Sequence, residues 1–236
     1  LSFHLTLDRD SISMQHDYMS NVSDRAQHLN TDAVYKGHGV ILGGTGMLGQ
    51  ALLTAAKSKN LSISTIARSH ADANFNVTQG TSLIDYLNQV KPQYVINTIA
   101  QVNIDLCEKD PAQAYLTNAT LVKTLSTYCA QHTIKFCHIS TDHYFSGHKD
   151  MLHTEIEPVQ LLNQYAKTKF SGERFALAHK EHLVIRTNIV GFRHRPTQPT
   201  FIEWAISALK AEEPITLFSD CYTSSIDVTT FSNILF

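Results

Sequence analysis

Tyr165 and Lys169 stand four residues apart in NQYAKTKFSGE, residues 163–173, a stretch with helical character. Residues at i and i+4 share one helical face, so a phenol and an ammonium would point into the same space. An ammonium close to a phenol stabilises the phenolate and makes the phenol a better proton donor near neutral pH. Upstream, HISTDHYFSG places Ser140, Thr141 and Asp142 at the end of an apolar run. In that arrangement Tyr165 protonates the oxygen of a carbonyl as hydride arrives, Lys169 tunes the phenol and holds the nicotinamide ribose, and the Thr141 hydroxyl orients the carbonyl. Each feature also has a plainer reading. A Tyr and a Lys at this spacing arise by chance, and a threonine at a strand end often bonds to its own backbone in an ST-turn.

A second candidate is GGTGMLG, in which Gly44, Gly46 and Gly49 satisfy G-x-G-x-x-G and Gly43, Gly46 and Gly49 satisfy G-x-x-G-x-x-G. Glycines let a strand-to-helix turn close tightly and let backbone N–H groups approach a pyrophosphate, which sits at the positive end of the following helix. Cofactor choice turns on the end of the next strand, STIARS. An NAD site usually offers an acidic residue there; this chain has Arg68 beside Ser69. Arginine contacts a 2′-phosphate in bidentate fashion, so NADP(H) is the expected cofactor, with NAD(H) as the alternative. The plainer reading of Arg68 is a solvated surface side chain.

The elements that must position these groups read as alternating strands and helices. From Gly39 the pattern gives a strand at 40–42, a helix at 47–57, a strand at 61–67, a helix at 82–90 and a strand at 94–98. Asp110 and Pro111 read as N-cap and first residue of a long helix ending near Gln131. A strand at 134–140, a helix at 163–180 and a strand at 182–187 follow. Such alternation predicts an α/β fold, a Rossmann-type doubly wound parallel sheet, with a small C-terminal substrate lobe. The expected division is an N-terminal extension of unassigned role at 1–36, a dinucleotide-binding domain at 37–190 and a partial lobe at 191–236. Residues 1–7 alternate apolar and polar like an edge strand. The chain starts at Leu1 and stops at Phe236 within an apolar run, so both ends are expected to be cut.

Composition narrows the function classes. With 19 basic and 21 acidic residues and a net charge of −2, nothing calls for a nucleic-acid or membrane-surface partner. No apolar run approaches transmembrane length, and the four cysteines, Cys107, Cys129, Cys137 and Cys221, lack the spacing of a zinc site or a disulfide framework. A cytoplasmic location is the expectation. The 13 histidines show no helical metal-binding pattern, so no metal is expected. Arg193, His194 and Arg195 form a basic cluster that either meets a diphosphate or is a solvated loop. Phe201, Ile202 and Trp204 read as a helix packing face.

In order along the chain, GGTGMLG, NTIA (97–100), residues 105–108, the helix carrying Asn118, STD (140–142), Tyr165 with Lys169, and IRT (185–187) resemble the extended short-chain dehydrogenases/reductases. Within them the resemblance is to the dTDP-4-dehydrorhamnose reductase-like sugar-nucleotide reductases, and it covers residues 39–236. The resemblance implies reduction of a nucleotide-linked 4-keto-6-deoxy sugar. Thr141, Tyr165 and Lys169 look like the catalytic triad, and Gly43, Gly46, Met47, Leu48, Gly49, Arg68, Asn97, Ala100 and Lys169 like cofactor neighbours. A homodimer stays open. His143 after STD, Asn76 after the third strand and Ser225 in the C-terminal segment depart from the family's pattern. Asp142 is followed by His143 rather than Glu, which disfavours the acid–base pair of the related dehydratases. Two alternatives remain, a sugar-nucleotide epimerase and a non-catalytic NADP-binding subunit resembling the regulatory β subunit of methionine adenosyltransferase.

Overall fold

Val40, Ile41 and Leu42 have no exposed surface, because β1 (His38–Leu42) lies between two parallel neighbours and beneath helices on both faces. The computed structural model describes residues 37–145, 153–195, 198–217 and 223–236. The expected strand at 1–7, the 1–36 extension and Cys221 lie outside them. β2 (Ser62–Ala67) pairs with one edge of β1 and β4 (Tyr94–Asn97) with the other; β3 (Ala73–Asn74), β5 (Lys135–Ile139) and β6 (Leu183–Ile185) complete a six-stranded, all-parallel sheet in the order β3-β2-β1-β4-β5-β6. This is the doubly wound order expected of a Rossmann-type fold, and its chain reversal falls between β1 and β4.

The crossovers are α1 (Met47–Ser58), α2 (Ser82–Val90), α3 (Ile104–Lys109), α4 (Pro111–Tyr115), α5 (Leu121–Gln131) and α6 (Gln164–Ala176). Asp110 caps α4 as its sequence predicts: its carboxylate accepts the Gln113 N–H at 3.0 Å, with Pro111 at the first turn. The single long helix expected from there is interrupted by a π turn at Leu116–Thr120. Gly172 of α6 packs on that turn so closely that a Cβ would lie 2.2 Å from the Asn118 carbonyl oxygen. Below the sheet, Leu83, Leu87, Leu121, Leu125, Tyr128 and Phe136 form the core with the strand residues.

The strand expected at 182–187 ends at Ile185. Arg186 turns its guanidinium onto Glu173 of α6, and the chain re-enters extended structure as β7 (Asn188–Val190), which pairs in parallel with β8 (Ser225–Asp227) in a separate two-stranded sheet. α7 (Phe201–Lys210) starts with a capping box between Thr200 and Glu203, and α8 (Val228–Leu235) packs against α1. The packing face expected at Phe201 and Trp204 is instead exposed, 60% and 41% respectively, with the two rings tilted against each other. Cys107, Cys129 and Cys137 are free, buried thiols, the last two pushed up to about 12 by burial.

Candidate active site

The glycine turn sits at the reversal point of the sheet. Gly43 has φ +87°, a conformation that disfavours any side chain, and its N–H and that of Gly44 both donate to the Ile66 carbonyl of β2 at 2.8 and 3.2 Å. The turn closes through the Gly46 N–H on the Gly43 carbonyl at 2.8 Å, and a Cβ at Gly49 would stand 2.2 Å from that same oxygen. α1 therefore begins immediately over the turn. Its N-cap is Gly46, with no side-chain cap and no acid in the first turn, so Met47 and Leu48 offer backbone N–H groups and a positive helix end to an anion.

Arg195 belongs to this cradle. The sequence leaves it between diphosphate contact and solvated loop; its guanidinium donates to the Thr45 carbonyl at 3.0 Å. Its loop is held by Glu203, whose carboxylate accepts the Arg193 and His194 N–H groups at 2.8 and 2.6 Å. These backbone donors, with those of Thr200, bring the Glu203 carboxyl down to about 2. Gly191 at the start of the loop allows Val228 and Met47 to close in, since a Cβ there would lie 2.6 Å from Val228 and 3.3 Å from Met47.

Arg68 and Ser69 are exposed just past β2. The next carboxylate, Asp72, is turned back on Thr65, accepting from its N–H and its hydroxyl at 2.8 Å each, which holds it below the ordinary carboxylate range. Thr65 in turn packs where a Cβ on Gly44 would be. At the end of β4, Asn97 is fully buried and Ala100 half-buried.

Thr141 stands two residues past β5, and its hydroxyl lies near enough to the Tyr165 phenol to pull that phenol's pKa downwards. That hydroxyl accepts the His143 N–H at 3.2 Å, the ST-turn contact named as its plainer reading. Asn163 caps α6 by accepting the Ala166 N–H at 2.8 Å, which starts the helix so that Tyr165 and Lys169 both face the sheet. Tyr165 is walled by Cys107 and Ala114, and the His143 ring stands edge-on to it at 6.1 Å.

The hydrogen bonds of Lys169 run to the sheet. Its side-chain nitrogen donates to the Ile139 carbonyl at 2.7 Å and faces His138 Nε2 at 3.4 Å. Burial holds the Tyr165 hydroxyl above its ordinary pKa, with the nearby Thr141 hydroxyl opposing the shift and Asp142 and Cys107 adding to it. Full burial brings Lys169 down to about 8, against the pull of Glu173.

Sequence reading passed over the supports. Asn118 in the π turn exchanges both amide ends with the Gln101 backbone, at 2.8 and 3.1 Å, and donates to Thr168 of α6 at 3.0 Å. Glu173, fully buried, takes the Arg186 guanidinium in a bidentate pair at 2.8–3.1 Å, and Arg186 lies over the Tyr144 ring at 5.1 Å. The signal for His138 was a histidine inside the apolar run IKFCHI, a polar group that must find partners when its strand is buried. The Asp142 Oδ1 is buried with no hydrogen-bond partner among the described residues, while Oδ2 accepts from Thr223 at 3.0 Å.

Comparison with known proteins adds a family. The family model described as the RmlD substrate binding domain matches residues 38–236. The chain is 28% identical over 148 residues to a probable low-salt glycan biosynthesis reductase of Haloferax volcanii, covering 61% of this chain and 49% of that protein. It is 29% identical over 153 residues to the dTDP-4-dehydrorhamnose reductase of Escherichia coli, covering 64% and 50%. The chain spans about half the length of the curated relatives it matches. In fold it resembles the dTDP-4-dehydrorhamnose reductase of Bacillus anthracis solved in complex with NADP, with a TM-score of 0.75 and 22% identity over 85% of this chain and 69% of that one.

Proposed function

Because the chain belongs to the family of the RmlD substrate binding domain, we propose that it is a reductase of a nucleotide-linked 4-keto-6-deoxy sugar using NADP(H). The observation that carries the reading is one juxtaposition. A glycine cradle after β1, at the sheet's reversal point, and Thr141 with Tyr165 after β5 lie at the carboxyl ends of the two strands that flank β4, where open α/β sheets gather their ligands.

The chemistry a nicotinamide dinucleotide would supply in the cradle is hydride for the carbonyl carbon. The Gly46, Met47 and Leu48 backbone and Arg195 would hold its pyrophosphate, and Lys169 would bond the nicotinamide ribose. Tyr165 passes its phenolic proton to the carbonyl oxygen. The Thr141 hydroxyl, beside that phenol, orients the oxygen, and burial excludes water that would compete for it. A phenol held above its ordinary pKa keeps its proton until charge develops on the substrate oxygen, which suits an acid rather than a base. Arg68 and Ser69, exposed just past β2, offer a guanidinium and a hydroxyl to a 2′-phosphate, which supports NADP(H) over NAD(H).

The test is titration with NADPH and NADH separately, followed by dTDP-4-keto-6-deoxy sugar while absorbance of the reduced nicotinamide is watched. Tighter NADPH binding and oxidation on adding sugar are expected, and Tyr165→Phe should keep the binding and lose turnover by about 100-fold or more. Equal turnover in the variant overturns the assignment of Tyr165. Binding without oxidation by any keto-sugar nucleotide overturns the reductase reading.

A further inference from the structure

Three buried polar side chains stand in line behind Thr141. Asn97 at the end of β4 and His138 in β5 have no exposed surface, and Lys169 of α6 is 2% exposed. Their protons can be counted. The Asn97 carbonyl oxygen accepts the Ile99 N–H at 3.1 Å, so its NH2 end faces His138 Nδ1, 3.2 Å away, and Nδ1 must accept. A doubly protonated ring is excluded there: it would be a fully buried cation facing an amide NH2 and an amine with no carboxylate beside it. The single proton of the neutral ring therefore sits on Nε2, 3.4 Å from Lys169 Nζ. The chain of donors runs one way, from Ile99 through Asn97 and His138 to Lys169, whose amine takes the Nε2–H on its lone pair and donates to the Ile139 carbonyl at 2.7 Å.

Adding a proton to Lys169 sets N–H against N–H. The conflict is relieved when the His138 proton moves from Nε2 to Nδ1, and Asn97 must then turn its carbonyl oxygen to His138 and give up the Ile99 N–H. We infer that His138 couples the charge on Lys169 to the orientation of the Asn97 amide, and so is a positioning residue for Lys169 at the nicotinamide ribose. Its role in turnover rests on the reductase reading; the coupling itself does not. The titratable and charged groups around Lys169 are Tyr165 and Glu173 on its own helix and His138 on β5; Glu173 is neutralised by Arg186, and Asp142 and Cys107 stand on the Tyr165 side. The burial that brings Lys169 down to about 8 puts this exchange within reach of neutral pH.

The test is 15N NMR of the full chain with labelled histidine, followed through the titration of Lys169. The expected result is a neutral His138 that changes from the Nε2–H to the Nδ1–H form as Lys169 gains its proton, with the Ile99 amide shifting at the same midpoint. Lys169→Met should fix the Nε2–H form at every pH. One tautomer throughout, or an imidazolium, overturns the coupling whatever the enzyme reduces. A second readout is the alkaline limb of kcat for NADPH oxidation. His138→Phe removes the conflict that opposes protonation of Lys169, so the limb moves to higher pH, whereas a move to lower pH means that His138 accepts from the ammonium and the inference is wrong. If the phenylalanine variant does not fold, the NMR of the wild type and Lys169→Met decides alone.

Discussion

Glu173 and Arg186 show how much one buried charge depends on its partner. The Glu173 side chain is 1% exposed and its carboxylate is met by two guanidinium nitrogens, while Arg186 also lies over Tyr144 and Phe145. Arg186→Leu leaves that carboxylate buried and unpaired, and should cost about 3–5 kcal/mol in urea unfolding. Adding Glu173→Leu should recover most of the loss; a single-variant cost below about 1 kcal/mol would mean that water reaches Glu173. At Lys169 the sign is opposite. Burial penalises its charged form, and Lys169→Met should raise stability at neutral pH by on the order of 3 kcal/mol while removing turnover. The stability difference is read from the same denaturant curves, and no gain would place Lys169 in a wetter site than its 2% exposure implies.

Two glycines decide how the elements meet. At Gly49 a Cβ would lie 2.2 Å from the Gly43 carbonyl oxygen and 2.8 Å from Gly44 Cα, all backbone, so the clash cannot be relieved by a rotamer change. Gly49→Ala should lift α1 off the turn and weaken NADPH binding by about 100-fold or more, with far-ultraviolet circular dichroism unchanged. Retained affinity would remove the turn from the binding site. Gly172 does the same for α6 against the π turn. Gly172→Ala should cost about 1–3 kcal/mol through overpacking and reduce kcat more than NADPH affinity, because the shifted helix carries Tyr165 and Lys169.

For the whole molecule the Lys169 shift sets a direction with pH. The folded value of about 8 lies below the ordinary 10.5, so between those values the unfolded chain binds more protons than the folded one. Stability contributed by this site should therefore rise as pH increases from 8 towards 10.5, the penalty being complete below the lower value. Chemical denaturation at several pH values checks it, with Lys169→Met as the control that should flatten the rise. The tyrosines Tyr144 and Tyr165 are held above their ordinary values and work the other way, but only as pH climbs past the usual phenol range.

The amino-acid sequence determined the local features. The period of apolar runs marked the strands, Asp110–Pro111 marked a helix start, and the glycine spacing marked the turn between β1 and α1, because these depend on residues within a few positions of each other. It placed Thr141, Tyr165 and Lys169 as candidates, since their types and spacing are local too. What the tertiary structure decided is what each side chain faces. Lys169 turned to His138 and Ile139 rather than to the phenol, Arg186 ended β6 by reaching Glu173, and Arg195 crossed 150 positions to Thr45. These partners are distant in sequence and become neighbours only when the parallel strands are stacked in order. Burial then fixes which form of each titratable group is stable, because the loss of water is a property of the packed core and of no single segment.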